Sequence, residues 1–127
     1  MKRVQWKSLL LGAATFVVTH LVVMRTWAMW FDGQREPWFL NSGRAVWFTA
    51  LCVVAAAALA SAWWAGNRGE AMLHGANVAA GAVLAMIGVL ISVGPGTIFP
   101  IVILFGAAIV LVSSAVGSLI VLLFKPN

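Results

Sequence analysis

Polar positions divide the chain into four apolar stretches. The longest runs from Ala71 to Phe124 and contains no Asp, Glu, Lys or Arg; its one strong break is Gly94-Pro95-Gly96. About 20 consecutive apolar residues are enough to cross a bilayer, so this stretch predicts two crossings joined by a very tight turn. Upstream, Lys2, Arg3 and Lys7 precede an apolar run from Ser8 to Met24, and a second charge-free run covers Ala45 to Ala65. A basic start before an apolar run also describes a signal peptide. The run continues past Gly12-Ala13-Ala14 without a cleavage site, which favours an uncleaved first helix. The predicted spans are about 7–31, 45–65, 71–93 and 98–124 within a single transmembrane domain covering 1–127. The expected fold is all-α: a compact four-helix transmembrane bundle with a helical hairpin between spans three and four.

The connectors carry the local signals that helices of this kind need. Asp32-Gly33 is a reasonable stop, since glycine tolerates the left-handed conformation that ends many helices. The loop from Asp32 to Arg44 is the one polar connector of any size, with Pro37–Leu40 expected to lie in the membrane interface. Aromatic residues surround it. Tryptophan favours the boundary between hydrocarbon and water, so Trp27, Trp30, Trp38, Trp47, Trp63 and Trp64 are expected as interfacial anchors. Asn67 with Glu70 three residues later resembles a capping box for helix three. Thr97 is expected to cap helix four, and Pro100 is tolerated in its first turn.

Hydrophobic force does not bring helices together in lipid, so close packing of small residues does much of that work. On span three, His74, Asn77, Gly81, Ala85, Gly88 and Ser92 recur at helical spacing. They predict one small and polar face, opposite Val83, Met86 and Leu90. On span two, Thr49, Cys52, Ala56, Ala60 and Trp63 keep a similar phase. Span one offers Gly12, Thr15 and Thr19, and span four offers Gly106, Ser113 and Gly117. These faces are expected to meet in the bundle or to form an interface with another subunit.

Composition strengthens the membrane reading. Hydrophobic residues make up 63% of the chain and charged residues 9%, against about a quarter charged in a soluble domain. The net charge is +5, but the basic residues are scattered singly at span ends, a pattern of topology determinants and not of a nucleic-acid surface. Lys2, Arg3, Lys7, Arg68 and Lys125 fall on the side of the termini, against Arg25, Arg35 and Arg44 on the other. That bias predicts both termini in the cytoplasm, with a bacterial inner membrane as the expected location. The single cysteine, Cys52, allows no internal disulfide and reads as a packing residue.

Candidate chemistry is sparse. His20 and His74 are notable because ionisable residues inside membranes are functional by default. From the predicted span starts their depths differ by roughly 12 Å at 1.5 Å per residue, which argues against a haem held between them. Each is expected to bond a neighbouring backbone or hydroxyl group. The sharper possibility is that His74 and Asn77 make a joint polar contact to a headgroup, quinone or partner. Asp32, Glu36 and Glu70 lie at span ends or in loops, so no Ser-His-acid set is expected at a common depth. Gly94-Pro95-Gly96-Thr97 can be read as an anion site at a helix start, but a tight turn explains it without a ligand.

In size, the chain is similar to the small multidrug exporters and the small fluoride channels. The exporters depend on a first-span carboxylate that this chain does not have, and the Asn- and Phe-rich signatures of the channels have no place on these helices. The expected function is therefore a small membrane accessory or structural subunit, without catalytic residues, metal or cofactor. Its partners would be the lipid bilayer and other membrane subunits or itself, with no nucleic acid. The alternatives are a homo-oligomeric channel or transporter for an uncharged or anionic solute, lined by Thr15, Thr19 and the His74 face, and a haem- or quinone-contacting redox anchor.

Overall fold

A computed structural model describes residues 6–26, 43–65, 68–93 and 100–124. They form four helices: α1 (Trp6–Arg25), α2 (Gly43–Trp64), α3 (Arg68–Val93) and α4 (Pro100–Leu122). Each is long and apolar enough to cross a membrane. Proline opens α4, where its missing N–H would have had no intrahelical partner. Glu70 lies in the first turn of α3, where a carboxylate favours the positive end of the helix. The proposed caps Asn67 and Thr97, the Gly94–Gly96 turn, the end of the first span beyond Thr26 and the aromatic loop with Trp27, Trp30 and Trp38 lie outside the described residues.

The protein is an all-α four-helix membrane bundle. The most extensive interface joins α1 to α3; α4 packs on α2 and α3, α1 also meets α2, and α2 meets α3. Thus α2 and α3 share the short diagonal while α1 and α4 occupy the outer corners. Leu10, Leu51, Leu84, Ile91, Leu104 and Phe105 are exposed on the outside. Apolar surface this extensive belongs against lipid. On α2 the exposed Trp47 and Trp63 stand sixteen residues apart, which spans about 24 Å along the axis and brackets most of a bilayer's hydrocarbon core.

Close approach of α1 and α3 is set by glycine. A Cβ added to Gly12 would overlap the Val78 backbone carbonyl, and one added to Gly81 would overlap the Leu9 carbonyl and come within 3.0 Å of Ala13 N. Contacts run from Gly12–Val78 to Gly81–Leu9 and Ala13, reciprocal along two parallel helices. On the opposite side, a Cβ on Gly117 of α4 would overlap the Val54 carbonyl of α2 and lie 2.9 Å from Ala57 Cβ. Beyond the glycine contacts the interior is filled by larger side chains, with Phe16, Val53, Met86, Leu90 and Val110 fully buried.

The buried line on α3 departs from the expected small face. Val78, Ala82, Met86 and Leu90 are fully buried, although Met86 and Leu90 were expected on the opposite side. These positions step by four, and four residues turn the helix about 40° past one full turn. The buried seam therefore rotates off the small face as the helix ascends. Gly81 is buried, Ala85 is half-buried, and Gly88 and Ser92 are exposed; a Cβ on Gly88 would meet nothing within 4 Å. On α2, Thr49, Ala56 and Ala60 are buried and Cys52 is half-buried, whereas Trp63 is exposed. On α4, Gly106, Ser113 and Gly117 are all buried.

Gly81→Leu is expected to cost about 1–3 kcal/mol or more by overpacking, because its obstacle is backbone and cannot rotate away. Gly88→Leu is expected to leave stability unchanged or raise it, since leucine has the higher helix propensity. Thermal unfolding of both variants in the same detergent checks this, and equal losses would contradict the assigned packing.

Candidate functional site: an interhelical polar cluster

At the end of the bundle where α1 and α3 begin and α2 and α4 finish, polar side chains from all four helices converge. Ser8 lies one turn before Gly12 on the buried face of α1 and is fully buried. The glycine contact brings this face against α3, and Ser8 Oγ hydrogen-bonds His74 Nδ1. The His74 imidazole also hydrogen-bonds the backbone of Trp64, at the end of α2, and its ring lies 6.2 Å from the Trp64 ring. A neutral imidazole has one donor and one acceptor nitrogen, so it can serve a hydroxyl and a carbonyl at once. Lys7 Nζ sits 5.9 Å from the Trp64 ring centroid, within cation–π range.

A second set of contacts ties in α4. Ser61 Oγ donates to the Ala71 carbonyl at 3.0 Å and lies 3.1 Å from Ser118 Oγ. Ser118 Oγ is also 3.4 Å from the same carbonyl. Two hydroxyl protons serve three contacts, so the shorter pair is the coherent assignment: Ser61 donates to Ala71 and Ser118 donates to Ser61. Gly75 makes room for this arrangement. A Cβ there would overlap Ser118 Oγ and lie 3.0 Å from Ser118 Cβ.

The sequence-predicted residues are dispersed by this geometry. His74 belongs to the cluster. Asn77 is half-buried and its Nδ2 donates to the Leu73 carbonyl one turn back, so the two have different partners. His20 stands twelve residues after Ser8, about 18 Å farther along the helix axis than the level at which His74 packs. The histidines are therefore more widely separated in depth than the predicted span starts implied. His20 is 7% exposed, and its Nδ1 has no hydrogen-bond partner among the described residues. Thr49 Oγ1 and Ser114 Oγ share that condition. Measured from the Lys7–Trp64 contact, His20 and Thr49 lie about 20 and 22 Å along their helices, at nearly equal depth.

One expectation is corrected. No serine, histidine and acid were expected at a common level, yet Ser8 and His74 are bonded and Glu70 precedes His74 by one turn. Helix α3 begins at Arg68, which brings Glu70 and His74 into its first turns beside the start of α1. Reading by residue type singled out the histidine and passed over Ser8, Ser61, Ser118 and Gly75. Their signal was positional: Ser8 continues the spacing of Gly12, Phe16 and Thr19, and Ser118 follows Gly117. Among the described residues no group of three or more His, Cys, Asp or Glu could hold a metal ion.

Recesses lined by described residues lie elsewhere. One, of about 650 Å³, is a groove between α2 and α4. A cleft of about 190 Å³ between α3 and α4 is lined partly by Ser114 and Ser118. A recess of about 280 Å³ between α1 and α2 is lined by Thr15, Thr19 and Cys52; Thr19 Oγ1 donates back to the Thr15 carbonyl at 2.7 Å. Ser8 and His74 line none of the three.

Gly75→Ala is expected to destabilise the bundle more than Ser118→Gly does. Combining the two should recover most of the loss, because the added methyl then occupies the space left by the hydroxymethyl group. A double-mutant cycle on thermal stability measures this coupling; additive losses would place Gly75 and Ser118 out of contact.

No protein-family model matches the chain, and no curated protein or solved structure shows significant similarity to it.

Proposed function

We propose that the protein is a small structural or accessory subunit of a membrane assembly, packing against a larger membrane complex or against further copies of itself. The observation that carries this reading is how the polar groups are used. The Ser8–His74 pair is buried between helices, its hydrogen bonds bind α1, α2 and α3 together, and it lines none of the recesses described above. Ser61 and Ser118 likewise link α2, α3 and α4. Chemistry at Ser8 would need a substrate to part α1 from α3, where backbone meets backbone. The close backbone contacts of α1 with α3 and of α4 with α2 disfavour a conduit between those helices, which favours a channel, if there is one, between protomers.

The outside leaves a place for a partner on α3. Gly88 and Ser92 are exposed there, and an incoming helix could approach the α3 backbone at Gly88 without meeting a side chain of that residue. A bacterial inner membrane with both termini in the cytoplasm fits the charge bias described above.

The test is purification of the tagged protein at native expression in mild detergent, with mass spectrometry and an absorption spectrum of the eluate. Stoichiometric recovery of a larger membrane complex, or of a defined homo-oligomer that does not conduct in liposomes, is expected. Gly88→Leu should reduce that association while leaving the subunit folded. A homo-oligomer that conducts when reconstituted alone would replace this reading with the channel, and a Soret band would replace it with the redox anchor.

A further inference from the structure

The groove between α2 and α4 has a shape and a chemical gradient that the subunit reading does not use. Gly117 draws α4 onto α2 at Val54 and Ala57. Toward the start of α2, the small side chains of Ala50 and Ala108 leave the space between the helices unfilled. The result is a recess of about 650 Å³ running from Trp47 to Ile120, with an almost wholly apolar lining. The one hydroxyl on its wall, Ser113 Oγ, is turned inward and donates to the Ile109 carbonyl at 2.7 Å.

The shape of the recess points to its occupant. On α4 the lining extends from Ala108 to Ile120, about 18 Å of helix axis. The recess is elongated, apolar and open along its length, a shape that a single extended hydrocarbon chain can follow. Its mouth is marked by Trp47, 71% exposed, at the level where tryptophan meets the headgroups. Arg44 is exposed one turn before Trp47 on the same helix end, at the level a headgroup would occupy if its chain lay in the groove.

We propose that the α2/α4 groove is a binding site for one anionic phospholipid, with an acyl chain lying between the helices and the phosphate held at Arg44. Hydrocarbon burial alone gives no preference, because every lipid chain is already in an apolar solvent. Selectivity comes from the fit of the chain and the charge at the mouth. One basic residue near the membrane surface favours an anionic lipid by about fivefold. This site is independent of whether the subunit reading holds.

The test uses the full chain in nanodiscs of phosphatidylcholine doped with phosphatidylglycerol carrying a photoactivatable diazirine in the acyl chain. Crosslinked peptides are mapped by mass spectrometry, and a parallel sample carries the same probe on phosphatidylcholine. Crosslinks should concentrate at 46–54 and 108–120, with about fivefold more from the anionic probe. Arg44→Gln should erase that preference while crosslinks stay at the groove. Val112→Trp fills the recess from a position 63% exposed to lipid, so the bundle still folds, and it should remove the groove crosslinks from both probes. Three results would overturn the proposal: crosslinks spread evenly over the outward faces of all four helices, no headgroup preference in the unaltered protein, or a groove closed to lipid by a helix of another copy or partner.

Discussion

Backbone contact between α1 and α3 is the constraint on which the rest of this bundle depends. In hydrocarbon, a leucine gains little by leaving lipid for another leucine, so helices associate where their surfaces can come unusually close. Gly12 and Gly81 permit this reciprocally, each against the backbone of the facing helix. That approach also brings carbonyl groups near glycine Cα–H bonds, the setting for weak C–H···O contacts at helix interfaces. The parallel arrangement of α1 and α3 then sets the register that places Ser8 beside His74.

The polar cluster follows from that register and reinforces it. Interhelical hydrogen bonds in membranes average about 0.6 kcal/mol and reach about 1.7, so no single contact here dominates stability. Their value lies in direction. A four-helix bundle with smooth apolar faces can slide or rotate at little cost, whereas Ser8–His74 and Ser61–Ala71–Ser118 are satisfied in one arrangement. The two halves of the molecule thus differ in kind: one end is specified by glycine contacts and hydrogen bonds, the other by the packing of Phe16, Met86, Leu90 and Val110. His20 and Thr49 lie in the second half, where His20 Nδ1 and Thr49 Oγ1 have no hydrogen-bond partner among the described residues.

Much of the fold was legible because bilayer crossing depends on composition along the chain. Apolar runs bounded by charges locate the four helices, and Gly81 and Gly117 were recognisable as packing positions from their spacing. The site was less legible. Helical periodicity treats a face as a straight line along the helix, but the buried seam of α3 rotates, so Met86 and Leu90 enter the core while Gly88 and Ser92 turn outward. Residue type also misled: a histidine attracts notice in an apolar span, and a serine does not.

The sequence by itself determined that this chain forms four membrane-crossing helices, because the energy of placing residues in lipid is local and nearly additive along each run. Only the tertiary structure decided which faces meet, that Gly75 makes room for Ser118, that Ser8 bonds His74, and that an elongated groove remains between α2 and α4. Those features depend on register and rotation between helices distant in sequence. Displacements of a few ångströms decide them, and hydropathy does not encode displacements of that size.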